Sequence, residues 1–221
     1  MRTKIKAVGF DFDGTLISSE DKKSIEMAKV FKEKFGIKRG VKTAYEKLIG
    51  TGKNRHEKVE SLFAQFIKRK PTKKELKEVE NHFGKHYEKS LSTCPLFECT
   101  NVITELKKQV KFLFLLSLEN KKEVKRVLKH CGLEKYFNEV LGGPETKVNN
   151  LSGIIKKQKL KPSEIIYIGD SHSDVIASKK LGMKVVLLGK KHTYLRLKED
   201  LEADFVFSNL CDLPHKISDL N

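Results

Sequence analysis

Four aspartates define the chemistry open to this 221-residue chain. Asp11 and Asp13 close the apolar run KIKAVGF and are followed at once by Gly14 and Thr15. In an extended chain residues i and i+2 share a face, so the two carboxylates point one way while Phe10 and Phe12 point the other. A second acidic pair follows SEIIYIG, with Asp170 at a strand tip and Asp174 four residues on, in the opening turn of a helix. Two like charges about 4 Å apart repel by roughly 4 kcal/mol at an effective dielectric of about 20, and several such pairs would rival the roughly 5–15 kcal/mol stability of a whole domain. A cation must therefore sit among them. Hard oxygen ligands with room for water suit Mg²⁺ better than a soft-ligand metal, and His172 reads as a loop residue near the site, not as a ligand.

Two more strand ends complete the constellation. Ser117 closes VKFLFLLS, where its hydroxyl and the first amides of the next helix can hold an anion. Lys147 follows the Gly142-Gly143-Pro144 turn near a helix start, where an ammonium can neutralise both a phosphoryl oxygen and the acidic cluster. Taken singly these are weak signals, because a Ser at a strand end is more often a helix cap and a first-turn Lys usually points to water.

The elements that must position these residues are legible from periodicity. KIKAVGF, VKFLFLLS, NEVLGG, SEIIYIG, KVVLLG and DFVF are short apolar runs, and most of those after residue 90 alternate with amphipathic stretches such as NKKEVKRVLKHCGL and PETKVNNLSGIIKKQ, the latter with Pro144 in its first turn. Strand-helix repeats with continuously apolar strands predict an α/β fold with a doubly wound parallel sheet covered on both faces. A helical segment is expected after DFVF. Residues 17–91 differ, showing helical spacing without strand signals. They predict an inserted all-helical domain over 18–91, with the α/β core formed by 1–17 and 92–221, and two chain crossings that permit hinge closure.

Composition bounds the rest. No stretch approaches the roughly 20 apolar residues of a membrane span, and MRTKIKAVGF passes too quickly into a strand pattern for a signal peptide, so a cytoplasmic protein without a membrane partner is expected. Cys94, Cys99, Cys131 and Cys211 form no CxxC pair and read as free thiols. The net charge is +16, and residues 22–90 carry 20 Lys or Arg against 9 Asp or Glu. Such a surface attracts anions, or reflects a Lys-rich, heat-adapted composition. Aromatic residues make up 8% of the chain with no Trp, and they do not interleave with the basic residues, which argues against a nucleic-acid partner without excluding one.

The ordered set DFDGTL, Ser117, Lys147 and GDSHSD, each at a strand end, resembles the haloacid dehalogenase superfamily, in particular its phosphoglycolate-phosphatase-like branch with a helical cap. The resemblance implies a Rossmann-like core and a Mg²⁺-dependent phosphatase acting on a small phosphorylated metabolite, as a monomer or homodimer. Carried over, it makes Asp11 the nucleophile that forms an aspartyl-phosphate and Asp13 the acid and base, whose backbone carbonyl also meets the metal. Asp11, Asp170 and Asp174 then complete the metal site, and Ser117 and Lys147 balance charge on the transferred group.

Substrate choice is expected in the inserted helices. LIGTGKNRHEK (48–58) resembles the cap loop that reaches the substrate, with Lys53 or Arg55 offered to an anion, the alternative being a solvent-facing helix start capped by Asn54. Asp13 separates the chain from dehalogenases and ion pumps, and the Asp170 to Asp174 spacing differs from the adjacent acidic pair of the sugar phosphomutases. A phosphomutase of the β-phosphoglucomutase type, or a phosphatase acting on nucleotide or nucleic-acid ends through the basic cap, remains the alternative. Glu119 departs from the family pattern by bringing negative charge near a phosphate site, and a capping role turned away from that site is expected of it.

Overall fold

The computed structural model describes residues 4–93, 95–98, 100–189 and 203–213. Strands β1 (Ala7–Phe10), β2 (Phe112–Asn120), β3 (Glu139–Gly143), β4 (Ile165–Gly169), β5 (Lys184–Leu188) and β6 (Phe205–Phe207) form one parallel sheet in the order β3-β2-β1-β4-β5-β6. β1 is central, with Phe10 opposite Leu115 of β2 and Ile168 of β4, which explains why all four of its residues are buried. A strand flanked on both sides and covered on both faces has no use for polar alternation.

The two faces are packed separately. Val8, Phe10, Leu113, Leu115, Ile166 and Ile168 face α5 (Val102–Gln109) and α6 (Lys121–His130), while Ala7, Phe114, Leu116, Ile165 and Tyr167 face α7 (Lys147–Gln158) and α8 (His172–Lys180). Gly9 permits this layering, since a Cβ there would lie 2.2 Å from Phe114 Cζ and 2.8 Å from Tyr167 Cδ2.

Between β1 and α5 run α1 (Glu20–Phe35), α2 (Val41–Glu46), α3 (Arg55–Leu62) and α4 (Lys73–Ser90). Reciprocal capping boxes, Asn54 with Glu57 and Thr72 with Glu75, fix the starts of α3 and α4. The two chain crossings are hydrogen-bonded to each other, Ser18 N donating to Pro95 O (2.8 Å) and Phe97 N to Leu16 O (3.0 Å). Apolar packing is continuous across them: Phe12, Leu16 and Ile17 belong to the same cluster as Met27, Val30 and Tyr87.

Two expectations need correction or limits. Cys131 and Cys211 are each disulfide-bonded, not free. Pairing depends on which distant segments meet in space, which a search for CxxC spacing cannot see; Cys94 and Cys99 lie outside the described residues. After β6 the described residues contain a 3₁₀ turn, Leu210–Asp212, and the remainder of the expected C-terminal helical segment falls outside them. Among the described residues no helix is long and apolar enough to cross a membrane.

Candidate active site

The tip of β1 is held against β4 by its own backbone. Asp11 N donates to Ile168 O (2.8 Å), and the chain then reverses as Leu16 N and Ile17 N both donate to Phe12 O (2.9 and 3.1 Å). Gly14 makes that reversal at φ +82° and leaves the space that Asp170 occupies, since a Cβ there would fall 2.1 Å from Asp170 Oδ2. Gly169 is constrained in the same way by Asp174, whose Cγ would stand 2.3 Å from an added Cβ. Carboxylate oxygens of Asp11, Asp170 and Asp174 consequently lie within 4.8 Å of one another.

Such crowding leaves an electrostatic signature. Burial, reinforced by the charges of Asp174 and Asp13 and opposed by Lys147, pushes the Asp11 carboxyl up to about 7. Burial and the neighbouring Asp11 and Asp174 hold Asp170 well above the usual carboxylate range. Carboxylates that resist ionisation for want of countercharge, offering only hard oxygen donors, are a donor set that suits Mg²⁺. His172 is exposed at the first position of α8 and outside this cluster.

Lys147 supplies part of the missing charge. It is the first residue of α7, capped by Thr146, whose Oγ1 accepts from Asn149 N (3.2 Å), so the helix begins three residues after Pro144 and not at it. Its Nζ lies 3.1 Å from Asp11 Oδ1 and pairs with Asp174 Oδ1. Burial works against the ammonium, but Asp11 and Asp174 outweigh it and raise its pKa. The other oxygen of Asp174 accepts from Ser171 Oγ (2.5 Å) and Ser171 N (3.1 Å), anchoring it to the start of α8.

The Asp13 side chain stands apart from the acidic cluster and is held by donors from three elements. Its Oδ1 accepts from Ser19 Oγ (2.5 Å) and from Tyr87 Oη of α4 (2.5 Å), and its Oδ2 from Ser117 Oγ of β2 (3.2 Å) and Lys23 Nζ of α1 (2.8 Å). Sequence reasoning missed Ser19, Lys23 and Tyr87, because nothing local to a helix marks which of its polar residues turns toward a strand tip. Ser117 does not close its strand. β2 continues to Asn120 with a shift of register against β3 after Leu116, and Asn120 caps α6, so the Ser117 hydroxyl bonds Asp13 and accepts from Glu119 N (3.1 Å).

Glu119 and Arg55 also fall differently from expectation. Glu119 is buried in β2 rather than turned away as a cap, with Oε1 3.0 Å from Lys23 Nζ and Oε2 accepting from Arg55 Nε (2.9 Å) and Nη2 (2.6 Å). The Lys23 and Arg55 charges overcome its burial and hold its carboxyl far below the usual range. Arg55 also bonds Glu123 through Nη1 (3.1 Å) and Nη2 (2.5 Å) and stacks 4.7 Å from the Phe83 centroid. Its fork is thus saturated by protein carboxylates while Asn54 caps the same helix. Lys53 reaches the wall of the cleft, where its Nζ donates to Ser61 Oγ (2.8 Å).

Asp11, Asp13, Ser117, Lys147 and Asp170 line one cavity of about 50 Å³, together with Lys23 of α1, Lys58 of α3 and Lys53 of the loop before α3. Lys58 was not anticipated from the sequence. Arg55, Lys58, Val59 and Leu62 form the buried side of α3, so its inward direction could have been read from the two apolar residues on that stripe.

The model of the haloacid dehalogenase-like hydrolases matches residues 8–188. The chain is 26% identical over 219 residues to the phosphoglycolate phosphatase of Pasteurella multocida (strain Pm70), covering 96% of this chain and 97% of that protein. It is 27% identical over 216 residues to the phosphoglycolate phosphatase of Aquifex aeolicus (strain VF5), covering 95% of each. Its fold is similar to the crystal structure of a predicted phosphoglycolate phosphatase from Haemophilus somnus 129pt, with a TM-score of 0.79 and 25% identity over 98% of this chain and 99% of the other.

Proposed function

Since the chain belongs to the haloacid dehalogenase-like hydrolases, we propose that it is a Mg²⁺-dependent phosphomonoesterase, acting on a small phosphorylated metabolite of the phosphoglycolate kind through phosphorylation of Asp11. The observation that carries this reading is the buried Asp11 carboxylate, set between Lys147 and the acidic cluster and two residues from an independently held Asp13. The sequence relatives named phosphoglycolate phosphatase, matched over nearly their whole length, support the substrate class.

In the proposed reaction an Asp11 oxygen attacks phosphorus, the P–O bond to the organic group breaks, and Asp13 gives a proton to the departing alkoxide. Water then attacks the aspartyl-phosphate, Asp13 takes its proton, and the Asp11–P bond breaks to release phosphate. Lys147 holds Asp11 in place and offsets charge on the phosphoryl oxygens, while Ser117 orients Asp13. Asp11, Asp170, Asp174 and the Asp13 carbonyl would hold Mg²⁺, which when bound supplies countercharge to the transferring group. Helices α1–α4 act as the cap that excludes water, a role supported by the Lys23 and Tyr87 contacts to Asp13. Phosphate release from a panel of phosphorylated metabolites, with Mg²⁺ or with a chelator, tests the reading. Metal-dependent turnover of small phosphomonoesters is expected, and undiminished turnover in Asp11→Asn would overturn it.

A further inference from the structure

Nearly every cation around the cleft is neutralised from within the protein. Lys147 pairs with Asp11 and Asp174, Lys23 with Asp13 and Glu119, and Arg55 with Glu119 and Glu123. Lys53 has a hydroxyl acceptor in Ser61. Lys58 differs: it lines the same cavity as Asp11 and Ser117 and is only 6% exposed, yet among the described residues no carboxylate or hydrogen-bond acceptor reaches its Nζ, which hangs 5.6 Å from the Tyr45 ring centroid. The stem of Lys58 is buried while its Nζ opens on the cleft, and an ammonium so enclosed without a counter-ion is costly unless something entering the cleft supplies the anion. The phosphoryl group has its own cation in Lys147, on the strand-tip side, so the anion for Lys58 must belong to the rest of the substrate.

The chemistry of that anion follows from what is offered to it. A second phosphate calls for several donors or a bidentate fork. The guanidinium that could provide one, Arg55, is saturated. What remains is Lys58, with Lys53 already donating to the Ser61 hydroxyl, in a cavity of about 50 Å³. Building on the phosphomonoesterase reading above, we propose that Lys58 is the specificity-determining residue of this site and that it receives a carboxylate carried close to the phosphoryl ester by a short organic acid.

The charge on Lys58 is itself conditional. Burial and the Lys23 charge lower its pKa to about 8, against the opposing pull of Glu119 and Asp13. The charged and titratable groups facing it are Lys23 and Glu20 of α1, Tyr45 of α2, Asp13 after β1, Glu119 of β2 and Lys147 of α7; Glu20, whose own pKa burial raises, lines the same cavity without forming an ion pair with Lys58. Lys23, Tyr45 and Lys147 are shifted upward and Glu119 downward, away from the pH range in which Lys58 loses its proton.

Calorimetric binding to the Asp11→Asn protein in MgCl₂ tests this without turnover, with phosphoglycolate and its neutral counterpart 2-hydroxyethyl phosphate as probes. We expect at least tenfold tighter binding of phosphoglycolate at pH 7, loss of that preference in Asp11→Asn/Lys58→Met, and its retention in Asp11→Asn/Lys58→Arg. In the protein with Lys58 intact the preference should also decline between pH 7 and 9.5, a measurement that survives misfolding of the Met variant. Equal binding of the two probes, a preference that outlasts Lys58→Met, or a preference flat across that pH range would each overturn the assignment. If the wild type released no phosphate from either probe, the phosphomonoesterase reading would fail separately, because the binding comparison does not need catalysis.

Discussion

Arg55 of α3 and Glu119 of β2 meet through two hydrogen bonds, 2.9 Å from Nε and 2.6 Å from Nη2, both on Glu119 Oε2 and both buried. Through Lys23, 3.0 Å from Glu119 Oε1 and 2.8 Å from Asp13 Oδ2, this pair connects an inserted helix to the residue beside the proposed nucleophile. Removing one partner strands the others without water. Arg55→Met should therefore destabilise the protein by about 3–5 kcal/mol in urea unfolding. The Arg55→Met/Glu119→Gln double variant should lose less than the sum of the singles, by about 0.5–3 kcal/mol. Strict additivity would mean that the contact carries no coupling.

Lys147 links Asp11 to Asp174. Lys147→Met should lower kcat by about 10²–10³, the usual cost of deleting a charge-stabilising donor at a reacting centre. Lys147→Arg should recover little, since a planar fork does not replace a compact ammonium wedged between two carboxylates. Initial rates of phosphate release decide this, and a Met variant within twofold of wild type would remove Lys147 from the chemistry.

Lys58 also predicts a pH dependence of stability. Its folded pKa of about 8 lies below the ordinary 10.5, so between those values the unfolded chain holds more protons and stability contributed by this group rises with pH. Wild type should thus gain on Lys58→Met from pH 8 to 10.5, by at most about 1.4 kcal/mol per pH unit. Denaturant midpoints of the two proteins across that window are the measurement. Parallel curves would show that Lys58 keeps a partner.

The acidic cluster predicts metal-linked stability. A cation bound only by the folded state adds about 2.7 kcal/mol at a hundred times its dissociation constant. Thermal unfolding should therefore shift upward with MgCl₂ and return with chelator, and Asp170→Asn should abolish most of the shift. An unchanged response in that variant would place the ion elsewhere.

Legibility in the sequence divides along physical lines. The tips of β1 and β4 could be read because an apolar run followed by Asp-x-Asp-Gly-Thr or Gly-Asp leaves little choice of where it ends; strand parity did not carry past Phe10, where β1 stops, and the Asp13 side chain turns to Ser19, Lys23, Tyr87 and Ser117 instead of joining Asp11 in the acidic cluster. Ser117 was misplaced within its element because an apolar strand running on through Leu118 to Asn120 does not announce its last residue. α5, Val102–Gln109, was not recognised, being a two-turn helix with a short apolar stripe. Lys23, Lys58 and Tyr87 were hidden for a different reason. On helices of a strongly basic segment a Lys is expected to face water, and only tertiary packing shows which ones are turned inward. For Arg55 the sequence left open an inward anion contact or a solvent-facing helix start capped by Asn54; the side chain is buried and Asn54 does cap the helix, but the carboxylates that receive Arg55 come from residues 119 and 123, too far along the chain for any local pattern to reveal.

The central claim is that phosphorus passes through Asp11. The direct measurement is acid quenching during turnover of ³²P-labelled phosphoglycolate in MgCl₂, followed by peptide mapping. Label should appear on the peptide containing residue 11, be released by hydroxylamine as expected of an acyl phosphate, and be absent from Asp11→Asn. Rapid phosphate release with no label on the protein, or label persisting in Asp11→Asn, would contradict the account.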